Sequence, residues 1–164
     1  MADVKTKQFF GTAQTIFNYA TADLAAATFS GAGSAWGGAA FNNTNDGSVP
    51  YATHANAMLE CDFASAPAAG AVVELWAMLL NVDSTDDDTD VPASAASGGG
   101  RFLGAWPMAA SAGLQRRTIV ISLEGVNEAE FYVKNSTAVA MDNDGGTSAL
   151  VVKITPFTYG VTTA

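Results

Sequence analysis

The most apolar run in the chain, residues 71–80 (Ala-Val-Val-Glu-Leu-Trp-Ala-Met-Leu-Leu), is apolar in both parities. Ala71, Val73, Leu75, Ala77 and Leu79 fall on one side of an extended chain. Val72, Trp76, Met78 and Leu80 fall on the other, and Glu74 alone interrupts them. Pro67 and Gly70 before the run and Asn81 after it are turn residues. Such a run is either a strand buried on both faces or a core helix segment, and periodicity alone does not separate the two. It is too short to cross a bilayer as a helix.

The neighbouring segments decide for a strand. Residues 51–64 alternate, with Ala57, Leu59, Cys61 and Phe63 on one face and Asn56, Met58, Glu60 and Asp62 on the other. Joined by the short connection 65–70, this segment and the apolar run are expected to form a hairpin-like unit. Residues 101–109 read as a strand holding Phe102, Leu103 and Trp106, which Pro107 confines to an edge or a bulge. Ile119, Ile121 and Leu123 share a face, as do Phe131 and Val133, and then Leu150, Val152 and Ile154. The connector Asp142-Asn-Asp-Gly-Gly146 is a turn sequence, because Asn and Gly accept positive φ cheaply.

The first third is less regular. A first strand is expected at about 12–20, where Phe17 and Tyr19 alternate, with residues 1–11 before it as an extended arm. Residues 21–30 are expected to form a short helix capped by Thr21 or Asp23, with a strand as the competing assignment. Residues 31–49 form a glycine-rich connection without the Gly-Lys-Ser/Thr ending of a phosphate loop. Trp36 and Phe41 within it need cover. Short strands at this spacing, with little helical pattern, predict an all-β fold. The expected architecture is an antiparallel two-sheet β-sandwich, jelly-roll-like, comprising one domain over 12–164 behind the arm.

Charge then narrows the partners. Seven Lys and Arg stand against sixteen Asp and Glu, a net charge of −9, so the basic footprint of a nucleic-acid binder is missing. An anionic membrane surface is disfavoured for the same reason. No apolar run reaches transmembrane length, and residues 1–8 lead into no signal-peptide apolar region.

Candidate chemistry is sparse. Cys61 is the only cysteine and reads as a small buried hydrophobe. His54, the only histidine, lies seven residues away in the same strand, on the opposite face, so the two cannot form a Cys–His pair there. Asp83, Asp86, Asp87, Asp88 and Asp90 are candidates for Ca²⁺, but their spacing is not that of an EF-hand, and a solvated acidic loop over 81–100 is expected. Glu124, Glu128 and Glu130 read as glutamates near strand ends rather than a glycosidase pair. The expectation is no enzymatic activity and no cofactor.

Over residues 51–160 the order of elements carries a resemblance. Ala57-Met-Leu-Glu-Cys-Asp-Phe63 is followed by a turn with Pro67 and Gly70 and then by Glu74-Leu-Trp76. After the acidic loop come Thr118-Ile-Val-Ile-Ser-Leu123, Phe131-Tyr-Val-Lys-Asn135 and Val152-Lys-Ile-Thr-Pro-Phe157. The pattern resembles the small virion structural proteins of tailed bacteriophages, in particular capsid decoration (cement) proteins. Relatives often carry a Leu-Pro-Pro turn where Leu123 is here followed by Glu-Gly-Val. The resemblance implies a dimer or trimer on the exterior of the virion, bound to the major capsid protein after assembly in the host cytoplasm. A carbohydrate-binding or host-adhesion sandwich, motivated by Trp36, Trp106 and the acidic loop, is the alternative, and a tail or neck component is another. Apolar groups on arms and edges need cover, so the candidate interface residues are Phe9, Phe10, Trp36, Phe41, Trp106 and Met108.

Overall fold

A strand of fourteen residues, β10 (Leu150–Thr163), is the axis of the first of two sheets. One of its edges is shared by two strands, β1 (Val4–Phe10) against its second half and β2 (Gln14–Tyr19) against its first. Its other edge carries β5 (His54–Cys61), which in turn pairs with β8 (Gln115–Ser122). The second sheet repeats the arrangement. Here β9 (Glu128–Asn135) takes β3 (Thr28–Phe29) and β4 (Phe41–Asn42) on one edge. On the other it takes β6 (Val72–Leu79), followed by β7 (Arg101–Pro107). All of these pairings are antiparallel. This computed structural model describes residues 4–19, 23–36, 38–43, 49, 51–80, 100–141 and 150–163.

The orders β2-β10-β5-β8 and β4-β9-β6-β7 are those of a jelly roll. From β4 onward the chain changes sheet at every connection except β6 to β7. The expected hairpin of 51–64 with 71–80 therefore does not exist, because β5 and β6 lie in opposite sheets. Alternation specifies which side of a strand is buried, and it is silent about which neighbour supplies the hydrogen bonds. The connection between them crosses the sandwich and buries Pro67.

The apolar run is a strand, as its neighbours required. Val73, Leu75 and Ala77 reach the core between the sheets together with Phe131 and Val133 of β9. From the other sheet Leu59, Cys61, Ile121, Leu150, Val152 and Ile154 meet them. Trp106 of β7 is fully buried, and its indole N–H donates to the carbonyl of Ala57 in β5, 2.9 Å away. At this edge Gly104 lets the sheets close: a Cβ there would sit 2.8 Å from Cδ1 of Ile119. At the opposite side a 3₁₀ turn, Gly33–Trp36, packs on β2. A Cβ on Gly33 or Gly38 would collide with the carbonyl of Ile16, so only glycine permits that approach.

Two expectations for the first third change. Residues 23–29 form no helix: Leu24 bridges to Met141, Ala27 turns the chain with φ 56°, and β3 follows. The alanines favour a helix by propensity, but Phe29 finds cover on the second sheet only in an extended segment. The arm is a strand, since β1 pairs with β10 from Val4 opposite Thr163 to Phe10 opposite Phe157. The turn expected at 142–146 and residues 81–99 of the loop expected over 81–100 lie outside the described residues.

Pro156 stands inside β10 without breaking the sheet. The N–H of Gly11 donates to its carbonyl at 2.8 Å, so the missing Pro156 N–H also faces the junction where β2 has ended and β1 begins.

The two described tryptophan side chains, Trp76 and Trp106, differ in burial, and their removal should differ in the same sense. Trp106→Ala is expected to cost about 3–5 kcal/mol, the range for emptying a buried aromatic site. Trp76, half-buried on the outside of the second sheet, should lose clearly less. Urea unfolding of both variants measures the order, and equal losses would contradict it.

Candidate functional site

The period of two that fills the core leaves a second set of side chains on the outside of each sheet. On the first sheet this outer face divides into two regions. At one end Thr15 and Asn18 of β2, Val151 and Lys153 of β10, Met58 and Glu60 of β5 and Arg116 of β8 line a shallow depression of about 450 Å³. Register places Lys153 opposite both Thr15 and Met58, and Glu60 opposite Arg116. Arg116 donates from Nε to Glu60 Oε2 at 2.7 Å and forms an ion pair with the same oxygen. The pair neutralises itself, so Lys153 leaves this floor with a positive charge in a chain of net charge −9.

The other end of the face is aromatic. Phe157 of β10 points outward yet is buried, because Phe10, His54 and Tyr159 surround it. His54 stacks on Phe157 with centroids 5.6 Å apart and planes 19° apart, and its Nδ1 is 2.9 Å from the hydroxyl of Thr53. Tyr159 meets Phe157 edge-on at 5.6 Å, and Phe10 lies at 5.9 Å. The covering groups are themselves uncovered: Phe10 is 52% exposed and Tyr159 60%. Val120, opposite Asn56 on the same face, is 61% exposed. Half-exposed aromatics gathered around a buried one form a contiguous apolar surface, which is how a contact region differs from scattered surface hydrophobes.

The outer face of the second sheet is closed more completely. Phe29 and the buried Met78 and Tyr132 form a second cluster with Trp76 and Ala32. This is the cover over the second apolar side of the 71–80 run. Glu74 sits at its margin and accepts hydrogen bonds from the indole of Trp76 at 2.9 Å and the hydroxyl of Ser136 at 2.6 Å. Lys134 lies 4.0 Å from Glu74 and 5.3 Å from the centre of the Phe29 ring. The carboxylate that interrupts the apolar run thus orders the surface cluster. Phe102, on β7 against Trp76, is the large exposed apolar group here.

The structure separates the expected interface residues. Phe10 belongs to the exposed aromatic region. Phe9 is half-buried, packs against the core and stacks over Gly160, where a Cβ would meet its ring. Phe41, Trp106 and Met108 are core residues with no surface to offer a partner, a correction to their expected role. Phe41 packs edge-on against Phe131, and Met108 lies 4.0 Å from the sulfur of Cys61. A place in the glycine-rich connection or beside Pro107 suggests a periphery, whereas the jelly roll folds those segments inward. The side chain of Trp36 lies outside the described residues. Sequence reasoning missed Phe157, Tyr159 and Lys153. Their shared parity in β10, odd where Leu150, Val152 and Ile154 are even, is the signal that marks them.

His54 and Cys61 do lie on opposite faces of β5. Among the described residues no cluster of three or more His, Cys, Asp or Glu is placed to hold a metal ion. Burial pushes the Cys61 thiol up to about 12, with Asp62 adding to the rise. The folded state therefore favours the protonated thiol, and its contribution to stability is complete below the ordinary value of 9.0 and lost as pH rises towards about 12. Two outcomes follow. A thiol reagent at pH 8 should label Cys61 only after denaturation. Urea midpoints should fall more steeply between pH 9 and pH 11 in the parent than in Cys61→Ala, and parallel slopes would refute this.

Compared with known proteins, the chain matches no family model, no curated protein and no solved structure.

Proposed function

We propose that this chain is a non-enzymatic virion structural protein of a tailed bacteriophage. It decorates the exterior of the head by docking on the lattice of the major capsid protein. The observation that carries the reading is the outer face of the first sheet, with exposed Phe10, Tyr159 and Val120 at one end and the Lys153 depression at the other. An open sheet face with an apolar anchor and a charged margin suits a broad, repeated protein surface better than a small-molecule cleft, since ligand sites are deep and enclosing. The jelly-roll order supports the reading without deciding it, because capsid proteins, lectins and cupins share that architecture. The sugar-binding alternative loses Trp106, one of the two aromatics that motivated it, to the core.

The test is direct. Purified protein mixed with undecorated heads should bind in a fixed ratio to the major capsid protein and raise the melting temperature of the heads. Phe10→Asp and Lys153→Glu should each lower the affinity roughly tenfold, equivalent to about 1.4 kcal/mol, with circular dichroism unchanged. A protein that binds no head, or both variants binding as the parent does, would defeat the proposal. A glycan array separates the sugar-binding reading, and cryo-electron microscopy of the particle separates a tail or neck location.

A further inference from the structure

The second half of β10 has one partner where the first half has two. From Leu150 to Phe157 the strand lies between neighbours, with β5 ending at His54 opposite Phe157. From Thr158 to Thr163 it pairs with β1 alone, and among the described residues no strand occupies the side that β5 has left. The chain leaves that line at Tyr51, which turns with φ 55°, and Leu123 donates its N–H to the carbonyl of Thr53. Antiparallel strands point successive N–H and C=O groups to alternate edges. Because the Pro156 carbonyl faces β1 through Gly11, the even residues 158, 160 and 162 face β1 as well. The odd residues Tyr159, Val161 and Thr163 therefore present their backbone groups to the open edge.

The two edges of this ribbon are protected unequally. β1, the outer strand of the ribbon, includes Lys5 and Lys7, and charged residues discourage further pairing at a sheet edge. The segment Thr158-Tyr-Gly-Val-Thr-Thr163 carries no charge, no proline and three β-branched threonines beside Val161. An acidic chain repels its own copies almost everywhere, but this edge adds nothing to that repulsion. It is also self-complementary. Antiparallel pairing about a two-fold axis at Val161 sets Tyr159 against Thr163 and Val161 against its own counterpart.

We propose that a second copy of this chain occupies the edge, joining β10 to β10 as an antiparallel pair and extending the first sheet across the dimer. Such a two-fold axis runs perpendicular to the sheet, so the aromatic regions around Phe157 of both copies face the same way. The pairing stands on the edge geometry and is independent of whether the aromatic face meets a capsid.

Sedimentation velocity over a concentration series, combined with amide exchange read by NMR, tests it on the full chain. The parent should sediment as a dimer that dissociates on dilution. The amides of residues 158, 160 and 162 should stay protected throughout, while those of Tyr159, Val161 and Thr163 should gain protection only as the dimer forms. Val161→Pro removes an N–H that faces the open edge and none that bonds to β1. Val161→Lys sets like charges directly opposite each other across the axis, which destabilises a strand pair. Each should raise the dimer dissociation constant at least roughly tenfold. Val161→Lys decides the question if the proline variant fails to fold. A parent that remains monomeric with its odd-numbered amides exchanging freely would overturn the proposal. So would an oligomer whose mass neither substitution changes.

Discussion

A hydrogen bond inside the core ties the two sheets to each other. The indole N–H of Trp106 is buried where water cannot serve it, and an unsatisfied donor in that position costs about 1–3 kcal/mol. Its acceptor, the carbonyl of Ala57, belongs to the other sheet. Any slide of one sheet over the other breaks this bond before it alters the surrounding apolar contacts, which are tolerant of direction. Gly104 has no Cβ to hold Ile119 and Ile121 away, so β7 and β8 can approach along that edge. Gly33 and Gly38 allow the corresponding approach at the far edge, over the backbone of Ile16. The sandwich closes on both sides only where side chains are missing.

Charge is scarce in this chain, and buried amides hold its loops instead. Asn135 donates to the carbonyls of Leu24 and Val139 and accepts from the N–H and hydroxyl of Thr137. Asn43 exchanges hydrogen bonds with Ala52 and donates to Val126. Gln115 accepts from the N–H of Ala109 and donates to the carbonyls of Ala109 and Ser111. Each amide satisfies backbone groups that neither sheet can reach, as buried polar groups require. Uncharged contacts of this kind are insensitive to salt, unlike the Glu60–Arg116 pair on the surface.

The inward-facing residues of β5, β8, β9 and β10 were legible because one face of each meets the core and the other does not, and that contrast is written in alternating residue types. The 71–80 run lacked the contrast, since Phe29 covers its second face, and only its neighbours identified it as a strand. Partners were not legible. Whether β5 bonds to β6 or to β10 depends on contacts between segments about a hundred residues apart, and no local pattern encodes them. The helix expected at 21–30 rests on its caps, Thr21 or Asp23, a local signal that the cover needed by Phe29 overrides. Three of the candidate interface residues, Phe41, Trp106 and Met108, lie in the core for a related reason. Large aromatics near glycine and proline looked peripheral, while β10 hid an outward aromatic series behind the same alternation that filled the core. Phe10 is a candidate because it stands on the expected arm; Tyr159 is not, because only the inward parity of its strand, Leu150, Val152 and Ile154, is marked by an apolar series.

The position of β10 has a consequence for how the molecule is made. It follows every strand that it joins, so while the ribosome is still translating, β2 and β5 have emerged without the neighbour that separates them. Non-local pairings of this kind are slow to form, and unpaired strand edges attract other chains in the meantime. The nascent first sheet is thus a late assembly, completed when β10 inserts between β2 and β5. A protein produced in many copies at once would face its greatest aggregation hazard in that interval, before the native fold exists. Mutations that slow the insertion of β10 would lower the yield of soluble protein even if the finished molecule were as stable as before.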